Sequence, residues 1–294
     1  MLIGKTGRAV LAAVALFALA GCATQRVERA GQVADAGVAF ADAVPAVIDE
    51  SFVLSVAANS AVLATAHPGL TPERRQADLI AHDQALRDQL PILHDLKNHA
   101  RLLRSYFIAL GAIARSDAPA GISAATGKIV SELSNAGVNL SAKQVGGVAI
   151  SDVIQPAIDF AVATYQNAVL SNELKERGHA IERELELQRA ALALLGEQMQ
   201  ADGEARIEHE LRKPVFTEYV SAAPLPSDWT ARRVAAFQQT VDLESLNNAA
   251  AAAEKLHTSW IAFAENRLDE ADLLQLLKDV EELVIQADQM QSHG

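Results

Sequence analysis

The chain of 294 residues is poor in the residues that make cross-links, turns and aromatic cores, with one cysteine, 9 prolines, 16 glycines and only 8 Phe, 3 Tyr and 2 Trp. A single cysteine cannot close an internal disulfide and falls short of any cysteine-based metal site. So few turn formers exclude a β-sandwich or barrel, whose short strands need frequent turns. Basic residues are also in deficit: 25 Lys and Arg stand against 37 Asp and Glu, a formal charge of -12. That balance argues against a nucleic-acid partner, whose phosphates require clustered Lys and Arg. What is abundant is alanine, 57 residues in a chain that is half apolar. Alanine has the best intrinsic helix propensity and lets helix axes approach closely, so the composition predicts an all-α chain of packed helices.

The amino end is different. Lys5 and Arg8 precede an uncharged apolar run from Ala9 to Ala20. That run is too short to span a bilayer, which takes about 20 apolar residues, and fits the hydrophobic region of a secretory signal. It closes on Leu19-Ala20-Gly21-Cys22, which resembles the lipobox of bacterial lipoproteins. The resemblance implies that residues 1–21 are a signal peptide cleaved before Cys22, and that Cys22 carries a diacylglycerol and becomes the acylated first residue. It also implies a membrane partner through that anchor. In Gram-negative lipoproteins an Asp after the cysteine favours the inner membrane, so Ala23 implies the outer membrane, facing the periplasm. Loss of Lys5 and Arg8 leaves 23 basic against 37 acidic residues, a charge of -14. Such an acidic body does not adhere to anionic lipid by charge, so the acyl chains must hold it.

Residues 22–294 read as a single elongated helical domain with a break near 202–226. Val27, Ala30, Val33, Val38, Ala41 and Val44 follow a 3.6-residue rhythm that continues over Val47 to Ala66, with Pro45 as a kink or break. Thr71, Pro72 and Glu73 supply a cap, a first-turn proline and a dipole-matched carboxylate for a helix over 72–115, about 66 Å long. Its Leu79, Leu86, Leu93, Ala100, Phe107 and Ala114 recur every seven residues, with Leu96, Leu103 and Leu110 in the partner position, a coiled-coil-like seam that keeps its phase across Pro91.

After a loop at 116–121, a shorter helix carries Ile122, Ala125, Ile129 and Leu133 and stops near Gly137. Ser141 with Gln144 has the capping-box spacing for another short segment, ended or bent at Gly146 and Gly147. From Ser151 the pattern predicts one helix to Lys213, or two broken near Asp202 and Gly203, with Pro214 ending it. Pro224 and Pro226 mark a connection, Ser227 opens a helix through Phe263, and Ala249 to Ala253 predict a close helix contact. Asp269 begins a last amphipathic helix.

Candidate chemistry is sparse. Glu176 with His179, and Glu254 with His257, are Glu-x-x-His pairs, which resemble the ligand motifs of ferritin-like di-iron bundles. The seam residues Leu174, Gly178, Ile181 and Leu185, and then Ala253, Leu256, Trp260 and Phe263, place both pairs off the core-facing stripe, so a metal role is rejected and no cofactor is expected. His94 and His99 are five apart and do not share a face; His99 lies on a stripe with Ile92, Tyr106 and Ile113, which predicts a partly buried structural histidine. No nucleophile elbow, Walker loop, H-E-x-x-H zinc motif or dinucleotide fingerprint occurs.

Lys97, Arg101 and Arg104 form a basic stripe that either pairs with acidic neighbours on adjacent helices or docks an acidic partner or lipid headgroups. Tyr106 to Ala114 and Val145 to Ile150 are uncharged runs expected at one end of the long helices. A long helical rod with an apolar tip resembles the α-helical pore-forming toxins in shape. The expectation that follows is a non-catalytic, lipid-anchored scaffold or interaction module with a protein partner. The alternatives are a bundle that binds a small apolar ligand, and a membrane-active protein.

Overall fold

The computed structural model describes residues 6–115, 120–163, 168–221, 223–244 and 248–293, with the backbone alone at 6–26, 68, 120–124, 238–244 and 291–293. The protein is an all-α helical bundle. Its elements are α1 (Thr6–Ala66), α2 (Pro72–Arg115), α3 (Ala120–Ser141), a two-residue hairpin of β1 (Gln144–Val145) and β2 (Val148–Ala149), α4 (Ile150–Val153), α5 (Ala168–Arg206), α6 (Lys213–Val220), α7 (Trp229–Glu244), α8 (Asn248–Ala264) and α9 (Glu270–His293). The lipobox residues Leu19, Ala20, Gly21 and Cys22 fall where side chains lie outside the described residues.

Helix α5 is the hub. It packs against α1, α2, α3 and α8, while α9 closes the bundle on α1 and α8. The core runs through Val33, Phe40, Val44 and Ile48 of α1, and through Leu96, Leu103, Phe107 and Leu110 of α2. Leu174, Ile181, Leu185 and Leu192 of α5 meet them, with Trp260 of α8 and Leu276 of α9. Helix α1 from Val27 is long and apolar enough to cross a membrane, yet its apolar stripe is core. Ala249, Ala252 and Ala253 are buried, so the alanine run is the close contact its composition predicts. Helix α1 is continuous through Pro45, and α2 through Pro91.

Caps set the ends where side chains allow it. The Thr71 hydroxyl accepts from the Arg74 amide at 3.4 Å and the Asp269 carboxylate from the Asp272 amide at 2.8 Å. Across α1 and α2, Asp42 meets Arg104 at 2.5 Å and Asp49 meets Lys97 at 2.6 Å, with Asp35 paired to Arg115. The acidic partners stand every seventh residue on α1, which matches an antiparallel seam.

Three expectations are corrected. Ser141 does not open a segment: it is the last residue of α3, and its hydroxyl donates to the Val138 carbonyl at 3.0 Å. Gly146 and Gly147, with φ of 58° and 83°, then turn a hairpin that pairs Gln144 with Ala149 and Val145 with Val148. Two successive left-handed residues are what a tight type I′ hairpin requires, and glycine takes them without strain.

The single helix from Ser151 is also wrong. The chain from 154 to 163 forms neither helix nor strand, and α5 is described from Ala168. Pro156 disfavours helical backbone in the residue before it, and the freed groups bond elsewhere: the Gln155 amide donates to the Glu186 carboxylate at 2.6 Å and the Ala163 amide to the Ala264 carbonyl at 2.9 Å. Neither Gly203 nor Pro214 ends α5. A π-helical turn over Ile207–Arg212 carries the chain into α6, with Pro214 in the first turn, where its missing N–H is harmless. The connection falls between α6 and α7, at the expected Pro224 and Pro226. The helix expected from Ser227 through Phe263 is helical as α7 and α8 on either side of 245–247, which lie outside the described residues.

The core has an abrupt end. Its last members are Leu54 on α1, Leu93 on α2 and Met199 on α5. Beyond that level α1, α2 and the α5 to α7 segment run on, so the amino-terminal half of the α2 seam is not a core seam: Leu79 is 50% exposed.

Candidate functional site

The most unusual local feature sits on the hub helix. From Glu182 to Gln188 every second residue of α5 is polar, and Glu182, Glu184, Glu186 and Gln188 are all buried. A surface helix would present such residues to water. Here α5 is covered on several sides, so the polar groups must find partners from neighbouring helices.

They find two histidines. His99 of α2, 0% exposed, places Nε2 2.8 Å from Glu184 Oε2 and Nδ1 2.9 Å from Gln188 Oε1. His257 of α8 places Nε2 3.1 Å from Glu182 Oε1 and Nδ1 3.6 Å from Glu186 Oε2. A ring with N–H on both nitrogens donates to both acceptors; a ring with one does not. Glu186 has the strongest support. Arg189 donates to both its oxygens, at 2.6 and 2.7 Å, and the Gln155 amide donates at 2.6 Å. Burial alone raises the Glu186 carboxyl, but the Arg189 and Gln155 hydrogen bonds outweigh it and hold it below the usual carboxylate range. Arg189 also lies 3.3 Å from Glu254 and donates to the Val153 carbonyl at 3.3 Å, so one guanidinium ties α5, α8 and α4 together.

A second polar pair follows along the α2 and α5 interface. Glu173 accepts from Arg177 at 2.5 Å, close to the Tyr106 phenol. Burial raises the Glu173 carboxyl despite Arg177, and burial with the Glu173 charge pushes the Tyr106 phenol well up. Tyr106 also closes an edge-on aromatic cluster with Phe107 and Trp260, centroids 5.7 and 6.0 Å away, and the Trp260 indole donates to the Gly178 carbonyl at 3.0 Å. Several buried polar atoms keep no partner among the described residues, among them Glu182 Oε2, Gln188 Nε2, Glu173 Oε1 and the Tyr106 hydroxyl. Each unsatisfied buried group costs about 1–3 kcal/mol.

Beside the Glu184 and Glu186 carboxylates a cleft of about 490 Å³ opens between α3, the 154–163 segment and α5. Gly137 of α3 faces Glu184 so closely that a Cβ there would collide with the carboxylate oxygens. Glycine is what lets α3 approach.

The residues singled out by sequence separate in space. Lys97 and Arg104 are engaged by Asp49 and Asp42 of α1, and Arg101 donates to Asn98 at 2.6 Å. The stripe is thus largely a clamp between two helices. The two Glu-x-x-His pairs do not converge. His179 packs tilted on Phe160 with ring centroids 4.1 Å apart, Glu176 and Glu254 are exposed at the surface, and His257, expected one residue off the seam, is buried in the glutamate cluster. Among the described residues no three His, Cys, Asp or Glu are arranged to hold a metal ion. His99 is more deeply buried than its stripe suggests. The uncharged run Tyr106 to Ala114 is mostly core, with Ile108 exposed and Ala109 and Ala112 half-buried, not an apolar tip, and the hairpin lies by mid-α2, where Lys143 pairs with Asp95 at 3.8 Å.

Sequence reasoning missed the glutamates of α5. Nothing in their spacing sets them on one core-facing stripe of a helix; the neighbouring helices bury them.

The opposite end of the molecule has another character. Phe216, Tyr219 and Phe237 are 67%, 64% and 60% exposed on α6 and α7. Tyr219 stacks on Trp229 at 5.5 Å, and the Arg233 guanidinium lies 5.7 Å over Trp229 and 5.9 Å over Phe237. These side chains and Arg212 line a groove of about 450 Å³. A second opening of about 860 Å³ separates the end of α1 from the π turn and α6. Of seventeen exposed large apolar side chains among the described residues, eleven lie at or beyond the level where the core ends.

No family model matches the chain, and comparison with curated proteins and with solved structures returns no match.

Proposed function

We propose that this protein is a lipid-anchored, non-catalytic interaction module of the bacterial cell envelope, held at the outer membrane through Cys22 and docking a protein partner at its far end. One observation carries the reading: α1, α2 and the α5 to α7 segment continue past the last core residues Leu54, Leu93 and Met199 and leave ten large apolar side chains exposed. Among them Phe216, Tyr219 and Phe237 line one groove, and clustered exposed apolar side chains mark interaction sites. Aromatic and Arg side chains are also those enriched in protein interfaces. Helix α1 sets the reach. From Val27 to Ala66 it advances about 60 Å, so the aromatic groove stands well away from the anchored end.

The test has two arms. Mass spectrometry of the purified chain is expected to find diacylglycerol on Cys22, and Cys22→Ala to leave the membrane fraction. A photo-crosslinking residue at Phe216 or Phe237 is expected to trap one dominant protein in cells, while the same residue at Ile108 or Leu274 traps none. Adducts with lipid-processing enzymes alone, or equal adducts from both faces, would refute the docking role.

A further inference from the structure

We propose that the cleft between α3, the 154–163 segment and α5 is a binding site for a small amphiphilic monocation, an amine carried on an apolar body. Size comes first. About 490 Å³, half enclosed, is in the range of small-molecule sites. The walls are mixed: Val138, Ile154, Ala180 and Leu187 are apolar, and Ser134 adds a hydroxyl. Three carboxylates, Glu182, Glu184 and Glu186, border the same space.

The charge balance at those carboxylates selects a cation. Among the described residues Arg189 is the only permanently charged partner within ion-pair reach, and it is committed to Glu186 and Glu254. Glu182 and Glu184 meet only His257 and His99, which are cations only when protonated. Glu182 is 1% exposed and its Oε2 has no hydrogen-bond donor, so a buried acceptor beside the cleft is left open. An ammonium supplies three N–H donors and one positive charge, which matches that deficit.

Glu184 is the carboxylate best placed to receive it. Its side chain retains some exposure, and His99, itself held by Gln188, fixes its orientation from behind. His99 is therefore a positioning residue. Arg183 stands exposed on the rim. It opposes a second positive charge at the mouth, so the site favours a monocation over a polyamine. A carboxylate ligand would be repelled by the floor it must touch.

This site lies on the body of the bundle, apart from the distal groove, so its failure and that of the docking role are separable. The test is isothermal titration of the full chain in detergent with hexylamine, hexanol and hexanoate. Each titration is referenced to Val138→Trp, which changes a rim residue 71% exposed and fills the mouth. The difference between the two proteins removes partitioning into micelles. Saturable binding of hexylamine is expected, at least tenfold tighter than hexanol, with no binding of hexanoate. Glu184→Gln is expected to lose at least tenfold in hexylamine affinity; if that variant does not fold, the rim variant decides alone. Less than tenfold preference for the amine over hexanol, or a Val138→Trp titration identical to the native one, overturns the proposal.

Discussion

The two ends of this bundle use the same few aromatic residues in opposite ways. In the body, Phe40, Tyr106, Phe107 and Trp260 are fully buried and hold α1, α2 and α8 together. At the far end, Phe216, Tyr219 and Phe237 stand in water on helices that no further layer covers. A chain with 13 aromatics has few to spend on exposure. The contrast teaches that one molecule can divide its apolar surface between cohesion and contact, and that the division falls at a definite level, Leu54 on α1 and Leu93 on α2.

The comparison is easiest to break in the body. Trp260→Ala removes the side chain shared by Tyr106, Phe107 and Phe263 and the indole's hydrogen bond to the Gly178 carbonyl. A loss of about 3–5 kcal/mol is expected, read from chemical denaturation. A loss under 1 kcal/mol would mean that this cluster is not the body's anchor. Arg189→Met comes next. It leaves Glu186, nearly fully buried, without its bidentate partner, and about 3 kcal/mol is expected because a lone buried charge costs more than the pair contributes. Gly146→Ala is smaller. Alanine at φ 58° with its Cβ 2.8 Å from the Gln198 amide oxygen costs about 1–2 kcal/mol, visible as a lower thermal midpoint.

Acid and base sharpen the picture inside the body, since Glu173 and Glu186 on one helix titrate in opposite senses. Glu173 has a folded pKa raised chiefly by burial. Between its unfolded and folded values the folded chain binds more protons, so its contribution to stability falls as pH rises through that window. Glu186 has a folded pKa lowered by Arg189 and Gln155 against the effect of burial. Its contribution is complete above the unfolded value and is lost as pH falls through the folded one. Glu173→Gln is therefore expected to improve stability at neutral pH relative to acid, and Glu186→Gln to flatten the acid loss. Denaturation midpoints measured from pH 3 to 7 separate the two; parallel profiles would contradict the opposite assignments.

Much of the bundle was legible because helix periodicity and caps are local. Thr71 with Pro72, Asp269 and the alanine run at 249–253 all do what their spacing predicts. The errors fall where a distant group decides. Pro156 reads as tolerable in a first helical turn, yet Glu186 captures the preceding amide and Ala264 captures that of Ala163, so the segment is kept out of helix by partners far away in the chain. Pro214 reads as a stop, but a widened π turn absorbs it. The acidic cluster was illegible for the same reason: Glu182, Glu184 and Glu186 have the sequence of a wet helix, and only His99, His257 and Arg189 from around them make it dry. Leu79 and Leu86 err in the other direction, keeping the heptad phase without a core to face.

The smallest stability effect carries the most weight for function. Phe237→Ser replaces an exposed ring that contributes to the Arg233 contact and to the distal groove but touches none of the core cluster. A surface change of this kind is expected to move folding stability by no more than about 0.5 kcal/mol. If the distal end is a contact surface, the same variant should cut the yield of the crosslinked partner severalfold when the reporter stays at Phe216. A loss of more than 1 kcal/mol would instead place Phe237 in the cohesion of the fold, and the division between a cohesive body and a contact end would not hold. Stability kept and capture lost is the pairing that separates the two uses of an aromatic side chain, because burial energy and partner energy cannot be drawn from the same exposed ring.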